Sequence, residues 1–181
     1  MTEPAGYSIA PLDPEKHDRA AFSCGVEAVD NFFKRTANKL SKADNLRVFV
    51  MTDAEGTVAG FYAINAHSIT FEDLPPQFAR TRPGHGRIPA AYISMIGRDQ
   101  RFAGSGIGAD LLVDCLTRIY RISRDLGLAV AILDVLDDGD EKAVARRKAL
   151  YEGFGFAPMP TQPLRLYMPV ATIAKLFGGP A

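Results

Sequence analysis

With 181 residues and equal numbers of basic (21 Lys and Arg) and acidic (21 Asp and Glu) side chains, the chain has a formal net charge of zero. This removes any global electrostatic pull toward nucleic acid or membrane and leaves only local patches to weigh. A hydrophobic fraction of 47% with 23% charged residues is ordinary for a soluble globular chain, and the length suits one domain, 1–181, with a sizeable core. No apolar run approaches the ~20 residues of a membrane span and no secretory leader opens the sequence. Cys24 and Cys115 stand apart from any second Cys or His at metal spacing. The expectation is a cytoplasmic protein with no metal and no membrane contact.

Tyr7–Leu12 reads as a short strand leading into a proline-containing loop, Pro11–His17. Phe22-Ser-Cys-Gly25 then precedes Val26, Val29, Phe33, Ala37 and Leu40, whose spacing predicts a helix over Val26–Lys42 with Lys34, Arg35, Lys39 and Lys42 on its opposite face. Leu46–Met51 and Thr57–Ile69, joined by the turn Asp53-Ala-Glu-Gly56, predict an antiparallel hairpin. Pro75, Pro76 and Pro83 with Gly84 and Gly86 mark an irregular connection with room for a short helix near Gln77–Arg80. Ala91–Gly97 is too apolar to be half-solvated and reads as a central strand.

Ile107, Leu111, Cys115, Ile119 and Ile122, widened by Leu112 and Leu116, form the apolar stripe of a long helix. Its charges run from Asp110 and Asp114 to Arg118, Arg121 and Arg124, as the helix dipole favours. Gly127 suits a C-cap, and Leu128–Val135 reads as a buried strand parallel to the central one because a helix joins them. A helix over Glu141–Glu152 starting from Asp137–Asp140 and stopped by Gly153, a strand over Leu164–Val170 and a helical turn or two over Ala171–Phe177 complete the chain. Antiparallel pairing before the long helix and parallel pairing across it predict a mixed α/β sheet of about six to seven strands with helices on both faces.

Between the central strand and the long helix lies Arg101-Phe102-Ala103-Gly104-Ser105-Gly106-Ile107-Gly108. Glycines at a helix start let backbone N–H groups approach an anion with no side chain between, and the unpaired amides of the first turn are the donors. A nucleoside-triphosphate loop is excluded, since Ala109 and Asp110 stand where Lys and Ser or Thr are required. A dinucleotide loop fits locally, with Asp134 ending the next strand as a ribose-binding acid, but leaves too few residues for the rest of such a domain. A turn serving only strand-to-helix packing stays open beside it, as does an RxxGxG phosphate loop.

That last pattern, Arg101, Gly104 and Gly106 with Gly108 one step beyond, resembles the coenzyme A pyrophosphate loop of the GNAT superfamily of N-acetyltransferases. Ala149-Leu-Tyr151-Glu-Gly-Phe154-Gly-Phe156 is similar to the tyrosine-bearing segment after the fifth strand of that family. Phe22-Ser23-Cys24-Gly25 with Val29-Asp30-Asn31-Phe32-Phe33, Gly60-Phe-Tyr62-Ala, Asp73-Leu-Pro75, Ile88-Pro89 and Arg165-Leu-Tyr-Met-Pro169 resemble the toxin acetyltransferases of bacterial type II toxin–antitoxin systems. The likeness spans nearly the whole chain.

The resemblance implies a GNAT fold and acetyl-CoA as cosubstrate, with Arg101 to Gly108 on the pyrophosphate and the backbone of Ile96 and Arg98 on the pantetheine and acetyl carbonyl. Tyr151 would protonate the leaving thiolate, a task suited to a phenol, which with a pKa of ~10 keeps its proton at neutral pH. An apolar residue is usual in the family where Arg98 stands, and the connection Leu136–Arg147 is longer and richer in charge than usual. The implied acceptor is the α-amino group of an aminoacyl-tRNA, whose acetylation blocks translation. An α-amine titrates near pH ~8 and needs no strong base.

Lys34, Arg35, Arg80 and Arg82 are the cations expected toward the RNA, with Lys39, Lys42, Arg47, His85, Arg87, Arg146, Arg147 and Lys148 in related clusters. His67, near a strand end, is a modest base candidate. A small amine or a protein N-terminus is the alternative acceptor, and a non-catalytic coenzyme-binding sensor the rival from another class. The implied protein partner is a ribbon-helix-helix antitoxin whose tail covers the basic surface, and a homodimer stays open.

Overall fold

The computed structural model describes residues 6–78, 84 and 86–177. The strands are β1 Ser8–Pro11, β2 Arg47–Thr52, β3 Val58–Thr70, β4 Arg87–Arg98, β5 Val130–Asp134, β6 Ala157–Met159 and β7 Gln162–Pro169. Among the described residues they form one seven-stranded sheet in the order β1-β2-β3-β4-β5-β7-β6. The helices are α1 Glu27–Asn31, α2 Ala37–Lys42, α3 Ile107–Ile122, α4 Glu141–Gly153 and α5 Val170–Phe177. The chain divides into two compact units, Met1–Asn65 with Ser94–Cys115, and Ala66–Ile93 with Leu116–Ala181.

In the first unit β1, β2 and β3 pair antiparallel, with Ile9 opposite Met51 and Val50 opposite Phe61, as the hairpin reading expects. The helix expected over Val26–Lys42 is present but is not uniform, because a π-helical turn, Phe32–Thr36, joins α1 to α2. The wider turn brings two consecutive aromatic residues onto one partner. Phe33 stacks on Phe61 at 4.1 Å and 3°, and Phe32 lies at 6.1 Å and 18°. A strict helical period would turn one of them away.

Alternation along β3 places helices on both faces of this strand. Phe61 faces the α1–α2 side, where Phe22 also packs edge-on against it at 5.5 Å. Gly60 and Tyr62 face α3. A Cβ on Gly60 would lie 2.5 Å from Leu111 Cδ1 and 2.9 Å from the Gly97 carbonyl, and the Tyr62 hydroxyl donates to the Asp114 carboxylate. The glycine of Gly60-Phe-Tyr62-Ala is therefore where sheet and helix come too close for a side chain.

In the second unit β4 and β5 run parallel, with Ala90 opposite Val130 and Ile93 opposite Leu133, and β7 pairs antiparallel with both β5 and β6. Its core is Ile69, Leu74, Ile88, Ala90, Val130, Ile132, Met159 and Tyr167. β4 starts at Arg87, earlier than the apolar run Ala91–Gly97 suggests, and continues through Pro89, whose carbonyl accepts from Ala129 N at 2.9 Å. Three-residue β6, with Pro158 in its middle, is too short and too atypical to show a strand period. The short helix expected near Gln77–Arg80 is a 3₁₀ turn at Pro76–Phe78, and the rest of that expectation lies outside the described residues.

Candidate functional site

The glycine loop begins from a buried anchor. Asp99, 1% exposed, follows β4 and accepts four hydrogen bonds: Oδ1 from Arg101 N and Arg101 Nε, both at 2.9 Å, and Oδ2 from Ser23 N and Arg101 Nη2, both at 3.0 Å. Burial alone would raise its pKa, but the Arg101 and Ser23 donors outweigh that and hold it below the ordinary value. Gln100 N donates to Ser23 O at 2.9 Å, and Gly25, at φ +86°, comes so close to Gln100 that a Cβ would lie 2.2 Å from its Nε2. Asp30 in turn accepts from Ser23 Oγ (3.1 Å) and Cys24 N (2.8 Å).

The segment Phe22-Ser-Cys-Gly25 with Asp30 is thus a brace for the start of the loop. Cys24 has no nucleophilic part in it, since burial pushes its thiol up to about 11. Replacing Asp99 by Asn should cost about 1.5–3 kcal/mol, because buried charge-assisted bonds are lost while Arg101 keeps its charge; a urea midpoint lowered at unchanged slope is the readout. As the folded carboxyl is depressed, its contribution is complete above the ordinary value of 3.8 and is lost as pH falls through the lower folded value.

Beyond Arg101 the chain turns through Phe102 N to Asp99 O and Ala103 N to Gln100 O, both at 3.1 Å, and Ser105 Oγ donates to Phe102 O at 2.5 Å. Gly104 and Gly106 take left-handed φ values of +76° and +84°. A Cβ at Gly104, Gly106 or Gly108 would meet nothing within 4 Å. Packing therefore does not require these glycines, although at Gly104 and Gly106 the left-handed φ of the turn itself favours glycine. Gly108 has no positive φ, so a glycine there costs helix stability with no local return.

The first helical amides satisfied within the chain are Ala109 N and Asp110 N, both bonding to Gly106 O at 2.9 and 3.1 Å. Ile107 is fully buried and fixes the helix start, while Ala103 to Gly106 are exposed. Exposed amides at a helix N-terminus, bordered by open space where side chains would stand, fit a diphosphate. Ile96 and Arg98 close β4 just before this loop, and Nη1 of Arg98 is buried with no hydrogen-bond partner among the described residues.

Tyr151 belongs to the second unit, where it is half-buried near the end of α4 with its ring edge-on to Phe156 at 6.2 Å and 72°. Phe154 N and Phe156 N return to Tyr151 O at 3.0 and 3.2 Å, with Gly155 at φ +104°, so the Phe-Gly-Phe segment wraps the helix end around the tyrosine backbone. The long connection before α4 is tied down. Arg147 donates to Leu136 O (3.0 Å) and to both Asp138 oxygens (3.0 and 2.7 Å), and it holds the Asp138 carboxyl down at about 2. Asp140 caps the helix through Lys142 N and Ala143 N.

Asp134, the acid that a dinucleotide loop would need for a ribose, is committed elsewhere. It accepts from Arg165 Nε (2.7 Å) and Nη2 (2.8 Å) and from the Tyr92 hydroxyl (2.8 Å). Burial and this bond push Tyr92 up to about 12. His67 lies 5.4 Å from the Tyr92 ring, beside this network.

Of the basic residues, Lys34 is half-buried and Arg35 exposed on the π turn. Arg47 is paired with Asp44 at 2.6 Å and Arg147 with Asp138, so two cations of the clusters serve the fold. Arg80, Arg82 and His85 lie outside the described residues. Among the described residues no group of His, Cys, Asp or Glu is gathered as a metal site needs, and no helix is long and apolar enough to cross a membrane. Asp30 and Asp99 are the site residues that reading the sequence missed. Their signal was an acid directly before the loop and a second one a turn beyond Gly25.

The chain is 66% identical over 171 residues to the protein named Probable toxin TacT of Sinorhizobium fredii, covering 94% of each chain. It is 28% identical over 174 residues to the tRNA-acetylating toxin of Mycobacterium tuberculosis, covering 96% of this chain and 99% of that one. Among solved structures, AtaT complexed with acetyl-methionyl-tRNAfMet matches with a TM-score of 0.82 at 20% identity over 94% of this chain and 99% of that chain. A mutant AtaT toxin bound to the C-terminus of the antitoxin AtaR and acetyl-CoA matches with a TM-score of 0.77 at 19% identity over 95% and 98%. At these identities the AtaT likeness speaks for the fold. No family model matches the chain.

Proposed function

This chain belongs to the toxin acetyltransferases of the GNAT superfamily, and on that premise we propose that it transfers an acetyl group from acetyl-CoA to the α-amino group of aminoacyl-tRNA, which blocks translation. The observation that carries the reading is the loop: three glycines whose Cβ positions face open space, beside helix-start amides with no partner among the described residues. The relatives named as a tRNA-acetylating toxin and a toxin supply the reaction class and the acceptor.

In this reading the loop Arg101 to Gly108 holds the diphosphate through the amides of Gly104, Gly106, Ile107 and Gly108, while the amides of Arg101, Phe102, Ala103 and Ser105 bond within the chain and shape the turn, and Asp99 keeps Arg101 and the loop in place. The backbone of Ile96 and Arg98 orients the pantetheine and the acetyl carbonyl. Bound acetyl-CoA supplies the activated acetyl thioester. The α-amine, partly neutral at physiological pH, attacks without a strong side-chain base. The C–S bond breaks as Tyr151 gives its proton to the thiolate, and the proton that the acylated nitrogen sheds to solvent balances the one by which Tyr151 is restored. Lys34, Arg35, Arg80 and Arg82 are assigned to RNA phosphates. A toxin of this kind is held in check by an antitoxin, and a ribbon-helix-helix protein with a tail over the basic surface is the partner that fits; the AtaT complex with its antitoxin's C-terminus supports that kind of contact.

Gly108→Ala separates coenzyme binding from folding. The Cβ has room and Ala favours a helix by up to ~1 kcal/mol, so the melting temperature should rise slightly. Acetyl-CoA affinity should fall, since the methyl enters the space reserved for the ligand, and calorimetry reads both effects. The function itself is tested by incubating the protein with labelled acetyl-CoA and total charged tRNA beside polyamines and N-terminal peptides. Label on alkali-releasable amino acids is the expected result. Label only on the amines or peptides would move the small-amine alternative to first place, and binding without transfer would make the protein a sensor.

A further inference from the structure

We propose that the Arg98 guanidinium is a phosphate ligand, donating to an oxygen of the coenzyme diphosphate; this rests on the reading that the following loop takes that diphosphate. A buried polar nitrogen without a partner is rare in a folded protein, and one on a permanently charged guanidinium rarer still. Nη1 of Arg98 is such an atom.

The adjacent acid does not answer it: Asp99, its neighbour in sequence, already accepts four hydrogen bonds from Arg101 and Ser23. Arg98 leaves the strand beside the first half of α3, because the point where a Gly60 Cβ would stand is 2.5 Å from Leu111 Cδ1 and 3.5 Å from Arg98 Cα. It thus closes β4 one residue before the anchor of a loop whose amides and helix start attract an anion.

A neutral carbonyl would not offset the desolvation of a guanidinium, whereas a phosphate oxygen does so through charge and geometry together. Arg98 therefore costs stability in the free protein and returns it as affinity when the diphosphate binds.

The test uses the full chain with Arg98→Met and, should Met disturb folding, Arg98→Lys, which keeps a point charge without the planar fork. Acetyl-CoA affinity by calorimetry should fall about 10- to 100-fold in Arg98→Met and by less in Arg98→Lys. The melting temperature without ligand should stay level or rise in Arg98→Met. Arg98→Met should lose more affinity for acetyl-CoA than for acetyl-pantetheine, which lacks the diphosphate. Unchanged acetyl-CoA affinity in either folded variant, or an equal loss with acetyl-pantetheine, would overturn the assignment. Failure of the wild-type protein to bind acetyl-CoA would instead overturn the functional reading on which it stands.

Discussion

Tyr151→Phe should lower the turnover of acetyl transfer by on the order of 10²-fold or more while leaving acetyl-CoA affinity nearly unchanged. The substitution removes one oxygen and keeps the ring and the backbone bonds of this part of α4. The ring stays edge-on to Phe156, and the helix end is closed by Phe154 N and Phe156 N bonding to the Tyr151 carbonyl, a backbone group that Phe also carries. The loss would therefore fall on kcat with little change in fold, as expected for a proton donor to the leaving thiolate. Steady-state kinetics and a melting curve on the same preparation check both halves. Near-normal turnover would return Tyr151 to packing at the end of a helix.

Gly106→Asp should remove measurable acetyl-CoA binding from a protein that still folds. Its left-handed φ of +84° costs a non-glycine residue about 1–2 kcal/mol, Asp less than most, and a Cβ there meets nothing within 4 Å, so the fold should withstand the change. The carboxylate would then occupy the amides meant for the diphosphate and repel it. Two unit charges ~4 Å apart at an effective dielectric constant of ~20 repel by about 4 kcal/mol, close to a thousandfold in affinity. Calorimetric titration with acetyl-CoA, beside circular dichroism for the fold, reads the outcome. Undiminished affinity would mean that the diphosphate lies elsewhere.

The parts of this protein legible in its sequence are those with a strong period or a strong steric reason. The stripe Ile107, Leu111, Cys115 and Ile119 predicts α3, and all four side chains are fully buried. The hairpin β2–β3 and the parallel pairing of β4 with β5 follow from turn residues and from the helix between the latter two. The glycine loop announces itself because glycine is costly unless something requires it.

What stayed hidden depends on contacts distant in sequence. The π turn at Phe32–Thr36 sits where Phe61, on β3, takes both aromatic rings, a contact distant in sequence. Asp99 could be read as a loop residue, and only the fold brings Ser23 to it across 76 positions. Phe22-Ser-Cys-Gly25 was visible as part of a resemblance with no physical reason attached. Gly25 against Gln100, and Ser23 against Asp99 and Asp30, now give one.

The acceptor is the central claim, and the mass of the acceptor tests it most directly. The protein is incubated with acetyl-CoA and total charged tRNA, the RNA is digested with nuclease, and the 3′-terminal aminoacyl-adenosines are measured by mass spectrometry. One or more of them should carry the added mass of a single acetyl group on the amino acid with wild-type protein, and far less of it should form in the same time with Tyr151→Phe. Aminoacyl-adenosines that keep their unmodified mass while the same preparation acetylates a polyamine or a peptide N-terminus would contradict the account.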